Sequence, residues 1–403
     1  MGQIAEKLLA LNSAKHAIRA AINGKIPVPL DKAAPLSVYP DAIKSITLYP
    51  KDVNFFDYDG RLVYSYTVAE FLALTELPEG PAHPGLLFQE WNWSLADAQE
   101  YVGQYGCLVV GPSYETVDGY THLFVTMPTD NLRAIINNTG GVSVDWGDGT
   151  TDNASEHVYA EAGVYEIIPK GILGARSSQD AMDLYITEVW IGSNQNFGNT
   201  IQNYMFYNLR ALRCISVPQT IIEVGQYAFN SCYSLVAFTL GRLAGTGSLG
   251  TTAFGWCTSL RVCALPKSVS RPGSSAFAYC ASLYYITFPP GDGYNFPTVG
   301  ASCFSECRAL KKMVFTEGLE RITGSVFYNC YSLEEVSLPS SIIYIGVFSN
   351  CNSYPVIICK AATPPTLGGT FVCRWIFVPA ASVEAYKNAT NWSAMASKIL
   401  PLP

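Results

Sequence analysis

Asp145, Asp148 and Asp152 fall within eight residues of one another in VDWGDGTTD, and carboxylates so close could ligate calcium. The segment lacks the five-position acidic loop and closing glutamate of a strong calcium site, so Asp148 reads as an acceptor for turn amides. The four histidines, His16, His83, His122 and His157, lie in separate segments with no i,i+4 pair, so neither zinc nor a catalytic triad is indicated. A glycine-rich run, GRLAGTGSLGTTAFG, lacks the Lys-Ser/Thr that a phosphate loop requires. Twelve cysteines remain, without a C-x-x-C pair; Cys303 and Cys307 stand four apart with no second pair. No catalytic residue, cofactor or metal is expected from these patterns.

The cysteines instead follow a repeat. Phe206, Phe229, Phe254, Phe277, Phe304, Phe327 and Phe348 are separated by 23, 25, 23, 27, 23 and 21 residues. Each opens a common phrase: MFYNLRAL, AFNSCYSL, AFGWCTSL, AFAYCASL, CFSECRAL, VFYNCYSL and VFSNCNSY. A short apolar strand such as CISV, AFTL, VCAL or YITF comes next. Self-similarity at about 20–50 residues marks a solenoid, in which no repeat buries its apolar face alone. Cys232, Cys257, Cys280, Cys307, Cys330 and Cys351 each stand three residues after the Phe, which predicts a column of buried, reduced thiols.

Four segments must position these groups. Residues 1–46 form an N-terminal helical attachment segment: Ile4, Leu8, Leu11, Lys15, Ile18 and Ile22 alternate in steps of four and three. The seam, with Lys15 at one core position, reads either as a helix packed on its own domain or as a homo-oligomerisation surface, a trimer favoured. Residues 47–120 form a small α+β module. It has a hairpin in VNFFDYDGRLVYSY, helices begun by Thr67 and Ser94, and strands around LVVG and HLFVTM. Residues 121–183 form an antiparallel β-sandwich, and residues 184–403 the solenoid, covered by a terminal helix in SVEAYKNATNWSAMASKI. The fold class is thus multidomain and mainly β.

Composition agrees. Of 403 residues 14% are charged, 13% aromatic and 49% hydrophobic, an ordered composition. A net charge of −7 gives no basic footprint for nucleic acid. No run of 18 apolar residues predicts membrane insertion, and the opening MGQIAEKLLALNSAKHAIRA does not read as a signal peptide.

Three segments carry family resemblances. The seven repeat registers and the tail VPAASVEAYKNATNWSAMASKILP resemble BspA-type leucine-rich repeats of bacteria. VDWGDGT with HVYAEAGVYEI, through Trp146, Gly147, Asp148, Gly149, His157, Tyr159 and Tyr165, resembles a polycystic-kidney-disease-type β-sandwich. FFDYDGRLVYSYTVAEFLAL with GLLFQEWNWSLADAQEYVGQYG, and the preceding AIRAAINGK and PLSVYPDAIKSI, resemble phage tail and baseplate proteins. FFDYDGRLV also imitates the first motif of haloacid-dehalogenase-type phosphatases, which would make Asp57 the nucleophile and Asp59 the acid/base. Arg61 replaces the usual threonine, however, and no later acidic pair follows an apolar strand, so an Asp-Gly turn is expected.

Together these resemblances imply a non-enzymatic phage tail protein. Its N-terminal part would attach to other virion tail proteins, and its repeats would bind a host-surface receptor, glycan or protein. The alternative they imply is a bacterial cell-surface or secreted adhesin. The repeat strands should point Arg213, Arg261, Tyr284, Tyr285, Lys311, Lys312, Glu334 and Glu335 outward. Arg213, Arg261, Tyr284 and Tyr285 are the candidate binding residues, since Tyr and Arg dominate binding hot spots. The Lys and Glu pairs read as a solvated ladder.

Overall fold

In a computed structural model the chain divides into two compact units, Met1–Asp52 and Val53–Pro403. The structure describes residues 51–136, 141–171, 185–193, 199–242, 247–267, 269–287, 298–346, 348, 351, 354–369 and 371–402. The heptad seam, Ile4, Leu8, Leu11, Ile18 and Ile22 included, lies outside the described residues.

The second unit opens with the expected hairpin. Val53–Phe56 pairs antiparallel with Leu62–Tyr66, and Leu108–Val110 adds parallel on the other side. Gly60 takes a φ of +80°, the conformation an Asp-Gly turn asks of its glycine. Asp57 is fully buried: its carboxylate accepts from the Tyr58 N–H at 2.9 Å and the Tyr114 hydroxyl at 3.0 Å. His83 Nε2 and the Arg61 guanidinium complete its shell at 2.8 and 3.0 Å. Asp57 is thereby a latch between hairpin and neighbouring strand. Helix α1, Val68–Leu72, starts with a complete capping box between Thr67 and Glu70. Helix α2, Leu95–Tyr105, is capped by Ser94 and ends at left-handed Gly106. Both close over a core of Phe55, Phe71, Trp91, Trp93 and Tyr101.

One strand assignment is corrected. HLFVTM (His122–Met127) does not complete this module; it lies inside a six-stranded sheet, between Ile186–Trp190 and Gly163–Pro169. Its apolar alternation suits either place, and only long-range pairing decides between them. The same sheet continues from Gly163–Pro169 to the hairpin Val144–Asp145 and Thr151–Asp152, where Asp145 and Asp148 accept from the Gly147 and Thr150 amides. At its other edge Ile186–Trp190 pairs in parallel with Cys214–Ser216, the first strand of the repeats. The boundary near residue 183 is therefore spanned by one continuous sheet, which closes that end of the solenoid.

The solenoid winds through two parallel ladders and a turn-rich third side. Among the described residues eight strands from Cys214–Ser216 to Ile376–Val378 line one side and eight from Thr200–Ile201 to Thr366–Leu367 the other, each row divided between successive sheets. On the third side the phenylalanines form a column. Centroid separations are 5.3, 5.2, 5.4, 5.7 and 5.8 Å from Phe206 to Phe327, with rings within 18° of parallel. Phe348, Phe371 and Trp392 extend it. Phe371 is a rung that the sequence phrase does not mark.

The cysteine column has a physical cause. Each thiol donates to the carbonyl of the phenylalanine one rung earlier, at 3.1 Å for Cys232, Cys257, Cys280 and Cys330, 3.2 Å for Cys307 and 3.3 Å for Cys351. Each of these carbonyls also accepts the amide three residues on in its own turn, as Phe229 does from Cys232 at 3.1 Å, so the thiol is a second donor that ties one rung to the next while filling a small buried space. The terminal cap differs from a single helix. Val383–Asn388 (α3) ends where Ala389 turns extended, left-handed Asn391 and a 3-10 segment Ser393–Lys398 follow, and Ile399–Pro401 adds a last parallel strand. Buried Tyr386 and Trp392 donate to the Ala361 and Pro365 carbonyls at 2.8 and 2.7 Å.

Two measurements check this account. Phe277→Ala removes a fully buried ring stacked on both sides and should cost about 3–5 kcal/mol in denaturant unfolding; a cost under about 1 kcal/mol would mean the column does not carry the rung. Burial pushes the Cys257, Cys280, Cys307 and Cys330 thiols well above their ordinary value near 9, and Cys351 up to about 11. The unfolded chain then loses these protons first as pH rises past 9, so stability should be intact below that pH and fall above it. A denaturation midpoint constant from pH 8 to pH 10.5 would contradict the column's burial.

Candidate ligand-binding face

The strand face presents the expected residues only in part. Arg213 and Arg261 are exposed, and Lys311–Glu334 and Lys312–Glu335 pair across neighbouring rungs at 3.3 and 2.9 Å. Tyr284 is half-buried with the Lys311 ammonium 5.5 Å from its ring centre, and the Tyr285 side chain lies outside the described residues. The next outward column is closed. Ser216, Thr239, Ala264, Thr287, Val314 and Ser337 are all buried although their strands turn them away from the solenoid core.

The module of residues 53–116 covers part of that column and is pinned beside it. Trp93 Nε1 donates to the Leu265 carbonyl at 3.0 Å, and Tyr58 donates to Glu188 at 2.7 Å. Lys267 reaches Asp97 at 2.8 Å, and Arg242 reaches Glu90 at 2.5 Å. Gly111 sits so close that a Cβ there would stand 2.1 Å from Thr239 Oγ1 and 3.0 Å from the Ala264 methyl. Small ladder residues thus serve docking, and this stretch of the strand face is not free to bind a partner. Gly111→Ala should destabilise the docked module by about 1–3 kcal/mol, read as faster hydrogen exchange at 53–116 with the repeats unchanged. Unaltered exchange would mean the contact is slack.

The turn side is open instead. Along it, residues two before the phenylalanines from Phe206 to Phe304 and two after those from Phe206 to Phe327 adopt left-handed backbone: Tyr204, Tyr227, Thr252, Ser275 and Ser302 before, Asn208, Ser231, Trp256, Tyr279, Glu306 and Asn329 after. This conformation costs a non-glycine residue about 1–3 kcal/mol and persists where surroundings dictate it. Here they do: Tyr227, Phe229 and Ser231 donate their amides to the Thr251, Ala253 and Gly255 carbonyls of the next rung. Asn and Ser suit such positions. Trp and Tyr suit them poorly, yet Trp256 and Tyr279 occupy two successive ones, 44% and 37% exposed. Their rings stack at 3.9 Å and 4°.

Beside this pair runs a groove of about 490 Å³, walled by Trp256, Tyr279, Tyr207, Tyr227 and Tyr233. Asn230, Ser231, Thr252 and Ser275 supply polar atoms, and among the described residues no charged side chain lines it. Tyr227 is stacked on Tyr204 at 5.0 Å and 11°, and Arg210 sits 5.7 Å from the Tyr233 ring at the groove's margin. The arrangement can hold a ligand by stacking and neutral hydrogen bonds; among the described residues that line it there is no nucleophile–base pair. Strand periodicity leads away from it. The available signal was the shared offset of Trp256 and Tyr279 within AFGWC and AFAYC.

Comparison with known proteins agrees with the repeat architecture. The family model for the BspA type leucine rich repeat region matches residues 192–292 and 292–363 in six copies. The leucine rich repeat protein of T. pallidum is 23% identical, covering 53% of this chain and 88% of that one, with a TM-score of 0.33. A leucine-rich repeat protein from Bacteroides ovatus is 17% identical over 61% of this chain and 72% of that one, TM-score 0.31. A leucine rich cell surface protein from Faecalibacterium prausnitzii is 18% identical over 50% and 85%, TM-score 0.21. No curated protein matches the chain. Residues 192–363, with their stacked rungs and parallel ladders, are a BspA-type leucine-rich repeat region.

Proposed function

We propose that the protein is a non-enzymatic bacterial surface adhesin that binds its target through the aromatic groove on the turn side of the repeats. The carrying observation is the exposed Trp256–Tyr279 stack held in left-handed backbone beside an uncharged groove. Exposed, rigid aromatic side chains supply large contact area at low entropic cost, which is how binding surfaces concentrate their energy. The family match falls on the repeats, which supports the adhesin reading over the tail-protein one; the latter rests on resemblances within residues 1–120.

The full chain should attach to host cells, and Trp256→Ala with Tyr279→Ala should lower attachment about 10–100-fold with the unfolding midpoint little changed. Antibody labelling should find the protein on intact producing bacteria. Attachment untouched by the double substitution would sink the groove assignment. Recovery of the chain with purified virions, and not on cells, would replace the adhesin by the tail protein.

A further inference from the structure

Resting on that reading, we propose that the groove is a subsite for a neutral glycan, with one pyranose ring stacked on the free face of Trp256 above Ser231. In the column two residues after each phenylalanine, Ser231, Trp256, Tyr279 and Glu306 follow one another, all at φ of 64°. Tyr279 covers one face of the indole at 3.9 Å. The position on the other side belongs to Ser231, whose side chain is too short to cover a ring. The ladder of rings therefore ends at Trp256, with Ser231 and then Asn208 next in the column, and the groove of about 490 Å³ opens over the slot above Ser231. That volume lies within the roughly 300–1,000 Å³ of small-molecule sites.

The walls select the occupant. A pyranose has a C–H face that packs on an aromatic face and a rim of hydroxyls that need partners. Trp256 offers the first; Tyr227, Tyr233, Asn230, Ser231 and Thr252 offer hydroxyl and amide groups around it. An apolar peptide side chain in the slot would desolvate those polar groups without pairing them. Phosphate, carboxylate or ammonium groups would find no opposite charge among the lining residues. Tyr233, with Arg210 over it, and Tyr227, stacked on Tyr204, are held by their neighbours, so the slot is built before ligand arrives.

The test titrates the full chain with cellohexaose, chitohexaose, mannohexaose and a galactose hexamer, read by tryptophan fluorescence and calorimetry. At least one should bind and alter the fluorescence. Trp256→Ala should weaken that binding about tenfold or more. Ser231→Tyr should abolish it by filling the slot, with an unchanged unfolding midpoint, because Tyr279 shows that the column accepts a tyrosine at this backbone geometry. The inference is overturned if none of the four binds at about 10 mM, or if binding survives Ser231→Tyr. Cell attachment that depends on Trp256 and Tyr279 yet resists competition by the oligosaccharides would remove the glycan and leave the adhesin standing.

Discussion

Everything in the C-terminal half depends on one constraint: a rung of about two dozen residues cannot bury its own apolar side. Each phenylalanine from Phe229 to Phe304 is fully buried because a ring lies on either face of it, one from each neighbouring rung. Stability is therefore passed along the axis, and the two ends must be closed. At one end the sheet of Ile186–Trp190 and His122–Met127 continues the first ladder; at the other Phe371 and Trp392 finish the ring column under α3. The cysteines belong to the same constraint, since close stacking leaves room only for a small side chain after the turn, and its thiol reaches the phenylalanine carbonyl one rung earlier.

The left-handed positions follow from it as well. To keep rung-to-rung hydrogen bonds on the turn side, the backbone reverses sign two residues before and after the ring. That geometry sets the side chains at the left-handed positions after the ring in register along the turn side. Where they are small the surface is unremarked; where they are Trp256 and Tyr279 it becomes an aromatic shelf. The binding surface is thus a by-product of the stacking pattern, altered by few residues and at little risk to the core.

The strand face took a different course. Small residues at Thr239 and Ala264 admit the backbone of Gly111, and salt bridges such as Lys267–Asp97 hold the module there. Such exposed pairs add little energy but fix the register of docking. The acidic latch at Asp57 serves the same end, holding the Asp-Gly turn and His83 beneath the strand that carries Tyr114.

The solenoid, its phenylalanine and cysteine columns, the helix caps at Thr67 and Ser94 and the turn role of Asp148 were all legible in the chain's order of residues. Each depends on neighbours within a few residues or on a repeat that states its own register. The same order also determined that Lys311 and Lys312 face Glu334 and Glu335, since one rung sets the position of the next. Long-range packing set HLFVTM into the six-stranded sheet, ended the terminal helix at Ala389, and covered part of the strand face while the turn side stays open. Periodicity tells which way a side chain points. What lies in front of it is set by segments more than a hundred residues away, as Trp93 and Leu265 are, and no local pattern carries that information.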